Sequence, residues 1–293
     1  GRRGVIGHCQ PRRLAATSVA SRIASELDSQ IGALVGYQVR FNERISESCC
    51  IKLMTDGILL SEIQSDPYLS KYEVIIVDEA HERSLNIDFL LGYLKRILSK
   101  RKELKLIVTS ATIDVKKFSN QFNRAQIISV EGKSFPVETI YKETNSDDFE
   151  KESSITDNII ENIAPLISES SGDNSQVKDI LVFLSSEREI KETAKALRKK
   201  KFTKTEILPL YARLPQSEQN RIFQAHKFQR IILCTNVAET SITVPGVKYV
   251  LDTGFARISR YSFQSKIQRL PIERISQASA NQRKGRCGRI ENG

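Results

Sequence analysis

Seven short runs of β-branched and aliphatic residues mark the chain, and apolar positions with helical spacing recur between them. In the first half the runs are Ile51 to Thr55, Val74 to Asp78 and Leu106 to Ser110; in the second they are Ile180 to Leu184, Ile207 to Leu210, Ile231 to Thr235 and Tyr249 to Asp252. None alternates polar with apolar residues, which predicts strands buried on both faces in parallel sheets covered by helices. Leu14, Val19, Ile23 and Leu27 within Arg13 to Leu27, and Leu90, Leu91, Leu94, Ile97 and Leu98 within Ile87 to Leu98, predict amphipathic crossover helices. Both halves therefore read as α/β layers. Gly132 to Pro136 and the Ser/Asp/Glu-rich stretch Thr144 to Ser154 interrupt the pattern. They place a domain boundary near Ser134, giving domains 1–134 and 135–293, with a further solvated loop over Ser168 to Gln176.

Composition sharpens this only a little. A chain of 293 residues with 40% hydrophobic content can bury two cores. Its 45 basic and 35 acidic residues give a net charge of +10, which suits a polyanionic partner but is reached by many proteins that never touch nucleic acid. Cys9, Cys49, Cys50, Cys234 and Cys287 form no C-x-x-C pair, so free thiols in a reducing, cytoplasmic setting are expected. No apolar run reaches the length of a membrane span and no apolar stretch follows the basic start, so neither anchor nor secretory signal is expected. A first residue that is Gly1 rather than methionine reads as a fragment.

Val74-Ile75-Ile76-Val77 runs straight into Asp78-Glu79-Ala80-His81, so two carboxylates emerge at the carboxyl end of a central strand, the edge where open α/β sheets bind ligands. An Asp there can hold magnesium through its water shell, and a neighbouring Glu can orient or deprotonate the water that attacks a terminal phosphate. An acidic turn capping the next helix is the plainer alternative. The tetrapeptide and its surroundings, VIIVDEAHERSLNIDFLLGYL, resemble the DEAH-box helicases. Other strings resemble that family's motifs in the family's order: Gln10-Pro11-Arg12-Arg13-Leu14-Ala15-Ala16 (Ia), Thr55-Asp56-Gly57 (Ib), Ser110-Ala111-Thr112 (III), and Leu181 to Ile190 (IV, with Ser186 at the family's common glycine). Thr235 to Thr243 is similar to motif V and Gln282 to Arg289 to motif VI. The wording of Leu208 to Arg213 and of Ile275 to Ala280 is most similar to the bacterial HrpA type.

The resemblance implies two tandem RecA-like domains of the P-loop NTPase fold, each a mostly parallel sheet flanked by helices, with 1–134 as the ATP-binding domain and 135–293 as the helicase C-terminal domain. It implies an ATP-dependent RNA helicase that couples NTP hydrolysis to 3′-to-5′ translocation and to unwinding or remodelling of RNA. ATP or another NTP, Mg2+ and RNA follow as cofactors and partner, with a cytoplasmic, monomeric protein.

Residue roles carry over in the same way. Glu79 falls on the attacking water with Gln282, Asp78 and Glu79 at the metal, and His81 in the catalytic set. Arg286 and Arg289 fall on the transferring phosphoryl group; three apart, they are expected on one helix face, where such groups contribute roughly a thousandfold or more to rate. A solvated basic helix is the alternative. Arg22 and Phe223 match the pair that sandwiches the base, and stacking reads a π-face rather than base edges; otherwise Arg22 sits on a solvated helix face and Phe223 in a core. Ser241 and Thr243 fall at the nucleotide, while Pro245 stands where many eukaryotic members carry a ribose-binding Asp, which argues against that contact. Ser110 and Thr112 link hydrolysis to domain movement. Arg12, Arg13, Thr55, Asp56, Thr235 and Asn236 are expected along RNA, single-stranded or a duplex with an overhang, meeting its backbone without reading sequence. Arg257 to Leu270, basic, aromatic and alternating, resembles the β-hairpin near which these enzymes separate strands, or else is an exposed hairpin edge with no nucleic-acid role.

One expected element is missing. No G-x-x-x-x-G-K-[ST] occurs in the 293 residues; Gly132-Lys133-Ser134 ends like one, but Ile127 occupies the position of the first glycine. The parent enzyme is thus expected to hydrolyse nucleotide and this piece alone to do so poorly. Two other readings stay open, a non-catalytic RNA-binding RecA-like module and a DNA-directed helicase; contacts to the 2′-hydroxyl separate the second from an RNA enzyme.

Overall fold

The computed structural model describes residues 4–111, 115–130, 132, 135–142, 152–170, 178–240, 242–262, 266–289 and 291–293, which form two compact units, 1–130 and 131–293. The boundary expected near Ser134 lies outside the described residues, as do Thr112, Ser241 and most of the loop Ser168 to Gln176.

In the first unit six strands, β1 (Val5–Gln10), β2 (Val35–Val39), β3 (Asn42–Arg44), β4 (Ile51–Thr55), β5 (Tyr72–Val77) and β6 (Lys105–Val108), form one sheet in the order β3-β2-β4-β1-β5-β6. All neighbours are parallel except the β2–β3 hairpin. Strand periodicity divides the core between two faces. Leu53 joins Val35, Ala20 and Ala24 under α1 (Arg13–Glu26), while the next residue, Met54, joins Cys9, Ile75 and Val77 under α2 (Asp56–Ser65) and α3 (Leu85–Lys100). Small residues at Ala15, Ala16, Ala20 and Ala24 let α1 lie close to the sheet. Ser84 caps α3 by accepting from the Ile87 amide, and Ile87, Leu90, Leu91, Leu94 and Ile97 form its buried stripe, each contributing roughly 1.5–3 kcal/mol relative to exposure. A short α4 (Val115–Gln121) follows β6.

The second unit carries α5 (Glu152–Ser170), β7 (Asp179–Phe183), α6 (Glu187–Lys199), β8 (Thr205–Leu210), α7 (Gln216–Asn220), β9 (Gln229–Cys234) and β10 (Val247–Asp252). Its four-stranded sheet, ordered β10-β7-β9-β8, is wholly parallel. Ile163, Ile190, Ala194 and Leu197 of α5 and α6 pack on Ile180, Val182, Ile231 and Leu233. Beyond the sheet, β11 (Phe255–Arg257) pairs antiparallel with β14 (Ile272–Arg274) and β12 (Arg260–Ser262) with β13 (Ile267–Arg269), so the expected hairpin consists of two nested ladders. The helix α8 (Gln277–Lys284) closes the unit, its Ser276 cap accepting from the Ser279 amide.

The α/β architecture of mostly parallel sheets flanked by helices matches expectation, with three local corrections. Residues 106–110, expected as a buried strand, lie on the edge strand β6 and just beyond it, and Ile107 is 49% exposed. Residues 152–154 and 168–170, expected in loops, are helical, because the Ile155, Ile159, Ile163, Leu166 and Ile167 stripe buries one face of α5 and carries its ends along. Arg286 and Arg289 do not share a helix face: α8 ends at Lys284 with Gly285 as its cap, and Gly288 adopts φ +68° where an added Cβ would meet Val137 Cγ2 at 2.5 Å. Among the described residues no helix is long and apolar enough to cross a membrane.

Candidate functional site

In the first unit, strand register brings the candidate residues to one edge. Gln10 is level with Thr55, Cys9 with Val77, and Val77 with Val108, so the residues after β4, β1, β5 and β6 emerge side by side at the carboxyl ends of parallel strands. Thr55 is buried, and Asp56, the first residue of α2, accepts from the Gly57 amide at 2.7 Å. Asp78 is the centre of this row. Its backbone N–H donates to the Cys9 carbonyl at 3.0 Å, and the Thr109 N–H donates to the Val77 carbonyl at 3.0 Å. Gln10 Nε2 donates to Asp78 Oδ2 at 2.7 Å, His8 Nε2 lies 3.2 Å from the same oxygen, and Oδ1 accepts from the Thr109 hydroxyl and from the Glu79 amide at 2.9 Å. Burial alone would raise the Asp78 pKa. The hydrogen bonds from His8, Thr109 and Gln10 outweigh it and hold the carboxyl down at about 2.

Glu79 sits in the left-handed region at φ +54°, ψ 37°, and Arg83 likewise at φ +48°, bracketing a 3-10 turn over Ala80–Glu82. Conformations of this kind in non-glycine residues cost of order 1–3 kcal/mol and persist where surroundings enforce them. Here the Ala80 N–H donates to the Thr109 carbonyl at 3.0 Å, and Arg83 Nε pairs with Asp88 at 2.6 Å. His81 Nδ1 accepts from the Ala111 amide at 3.2 Å, while its Nε2 is 3.3 Å from Glu79 Oε2. A ring nitrogen that accepts from an amide carries no proton, so the neutral ring keeps its N–H on Nε2, facing Glu79. His81 thereby ties the Glu79 carboxylate to the Ser110-Ala111 backbone. Arg12 Nη2 pairs with Glu82 Oε1 at 3.2 Å, whereas Arg13 is exposed. Arg22 lies on a solvated face of α1, 76% exposed and paired with Glu26 at 2.7 Å.

In the second unit the row is Thr235 and Asn236 after β9, the loop to Thr243, and the residues from α8 onward. Gln282 is half-buried on α8. Arg286 donates to the carbonyls of Ile242 (2.7 Å) and Thr240 (3.1 Å), and Arg289 donates to Thr243 Oγ1 at 2.6 Å, so both guanidinium groups sit against the loop that follows β9. Phe223 is on the surface, 36% exposed, at the end of a 3-10 turn over Arg221–Phe223, rather than in the core.

Sequence reasoning missed the residue that organises this row. Arg283 is fully buried: its Nε donates to Glu239 Oε2 at 2.9 Å, its Nη1 donates to Asp252 Oδ1 at 2.7 Å and to the Phe255 carbonyl at 3.3 Å, and its guanidinium lies 4.8 Å from the Phe183 ring centroid. Glu239 also accepts from the Ser279 hydroxyl. The signal available was an acidic residue in the strand-end loop and another ending the next strand, opposite a cluster of arginines. His8 and Gln10 were missed too; their i, i+2 spacing puts both on the same side of a strand beside Asp78.

A magnesium ion fits the first unit's edge by donor chemistry. Asp78 remains ionised to about pH 2 and Glu79 adjoins it, the one or two carboxylates such an ion uses when phosphates and water fill its remaining positions. Among the described residues no group of three or more His, Cys, Asp or Glu forms an all-protein cage.

The profile of the helicase conserved C-terminal domain matches residues 156–291. Across its whole length the chain is 59% identical to the ATP-dependent RNA helicase HrpA of Escherichia coli (strain K12) and 58% identical to the HrpA homolog of Haemophilus influenzae, covering 22% of each. It thus spans about a fifth of the length of these relatives. A crystal structure of the Escherichia coli DEAH/RHA helicase HrpB superposes with a TM-score of 0.81 at 32% identity, over 99% of this chain and 36% of that one.

Proposed function

These similarities place the chain among the DEAH-box helicases of the HrpA type, and from that premise we propose that it forms the motor of an enzyme that hydrolyses ATP or another NTP to move 3′ to 5′ along RNA and unwind or remodel it, as a monomer. In this reading 1–134 is the ATP-binding domain and 135–293 the helicase C-terminal domain. The observation that carries it is the pair Asp78 and Glu79 at the carboxyl edge of a parallel sheet, one held ionised and the other tied through His81 to the Ser110-Ala111 backbone.

Asp78, with Glu79 beside it, would hold Mg2+, which neutralises charge on the β- and γ-phosphates when bound. Glu79 orients and deprotonates the attacking water, aided by Gln282, and His81 fixes the carboxylate by donating from Nε2. Arg286 and Arg289 stabilise charge on the transferring phosphoryl group, with Thr243 beside Arg289 and Ser241 at the nucleotide. Arg22 and Phe223 stack on the base. Ser110 and Thr112 report hydrolysis to the rest of the unit. Arg12, Arg13, Thr55, Asp56, Thr235 and Asn236 follow the RNA backbone, and the β12–β13 hairpin lies where strands part. Since these 293 residues contain no phosphate-cradling glycine loop, they hydrolyse nucleotide poorly by themselves.

Glu79→Gln in the full-length protein tests the reading. Nucleotide binding should persist while turnover falls by roughly a hundred- to ten-thousandfold; undiminished hydrolysis would remove Glu79 from the role.

A further inference from the structure

We propose that Glu206, Arg221 and Arg230 form a clamp that positions the Phe223 ring for a nucleobase, and so set how strongly this enzyme senses the base of its nucleotide. The proposal rests on the stacking role given to Phe223 above and deepens it. Phe223 closes the 3-10 turn that begins at Arg221, and its neighbour Ile222 is buried, so one side of the turn is pinned in the core while the ring stays at the surface.

The other side is held by charge. Glu206, near the start of β8, receives two arginines, one on each carboxylate oxygen: Arg221 Nη2 donates to Oε1 at 2.6 Å, and Arg230 Nε donates to Oε2 at 2.9 Å. Arg230, only 4% exposed, also donates from Nη1 to the carbonyl of Gln224, the residue after Phe223, at 2.9 Å. The Gln224 N–H in turn donates to the Arg221 carbonyl at 3.2 Å. Two residues further on, His226 Nε2 lies 3.0 Å from buried Asp179, whose Oδ1 also accepts from the Arg230 amide at 2.8 Å. Burial would raise the Glu206 pKa, and the two arginines more than reverse that, as expected if both guanidinium groups are engaged.

An aromatic ring on a surface turn ordinarily loses freedom when it stacks. Here the backbone on both sides of Phe223 is already fixed, so a base meets a platform whose ordering cost has been met in folding. The clamp reaches the nucleotide through Phe223, which makes Glu206 and Arg221 positioning residues.

The test uses full-length protein and measures kcat and KM for ATP, together with competitive inhibition by tripolyphosphate, which has no base. Phe223→Ala should raise KM for ATP by about tenfold, within the range that one base–aromatic stack supplies, with tripolyphosphate inhibition unchanged. Glu206→Gln should raise KM for ATP by about three- to tenfold with kcat and tripolyphosphate inhibition unchanged, and should add nothing on top of Phe223→Ala. If Glu206→Gln does not fold, Arg221→Ala takes its place, with Arg221→Lys restoring most of the ATP affinity. A KM that moves in Phe223→Ala but not in the clamp variants overturns the clamp and leaves the stacking reading standing. A KM unmoved in Phe223→Ala overturns the stacking reading and the clamp with it. Weakened tripolyphosphate inhibition in step with ATP marks general damage to the unit and also overturns the clamp.

Discussion

Arg283 offers the sharpest test of how the second unit is held together. Replacing it with Met keeps most of the volume and the apolar contact with Phe183 while leaving Glu239 and Asp252 without their shared cation. Breaking a buried pair by removing one partner costs about 3–5 kcal/mol. Because the two carboxylate side chains retain 13% and 22% exposure, water relieves part of this, and we expect about 3 kcal/mol. In a unit of this size that is a fall of roughly 6–12 °C in the transition of residues 131–293, measurable by scanning calorimetry on the chain. Arg283→Lys should lose less, since an ammonium can meet one carboxylate but not both in the geometry of the planar fork. If the loss comes from stranded charge, Glu239→Gln with Asp252→Asn in the Met background should recover most of it. A Met variant that melts with the wild type, or neutralised carboxylates that deepen the loss, would mean that stranded charge is not what the buried guanidinium prevents.

Two further expectations follow from the first unit. The Asp78 carboxyl is held at about 2 against an ordinary 3.8, so its contribution to stability is complete above about pH 4 and drains away as pH falls through 4 toward 2; in magnesium-free buffer, Asp78→Asn should flatten acid unfolding across that window, and an unchanged profile would contradict the hydrogen-bond assignment. Arg13 is exposed while Arg12 is committed to Glu82, so Arg13→Ala should lower the salt dependence of RNA binding, read by fluorescence anisotropy, by about 0.7 in log–log slope, more than Arg12→Ala does; the reverse order would move the RNA track.

The strands that the apolar runs marked are present, most within one or two residues, because runs such as Ile231–Cys234 leave no polar face to turn outward. β1 escaped that reading although it lies at the middle of its sheet, since Gly4 and Gly7 break its hydrophobic run and His8 and Gln10 are polar. Those same polar residues are there for Asp78, so the feature that hid the strand is the one that serves the site. α5 was hidden by serines and acids at its ends, although its isoleucines recur at helical spacing. The motif strings located Asp78, Glu79, Arg286 and Arg289 at loop and strand ends. They carried no information on Arg283, because burial of a charge depends on partners 31 and 44 residues away in the chain. Spacing also misjudged Arg286 and Arg289, since the helix ends at Lys284, capped by Gly285, before the periodicity can reach either arginine.

The left-handed backbone at Glu79 has an evolutionary corollary. A glycine would occupy φ +54° at less cost than a glutamate, so easing the fold at this position means giving up the carboxylate on which hydrolysis is proposed to depend. Variants selected for resistance to heat alone would therefore drift here toward silence, and only selection for turnover would keep the glutamate. If Glu79 has the proposed role, position 79 is a place where durability and work are in direct competition.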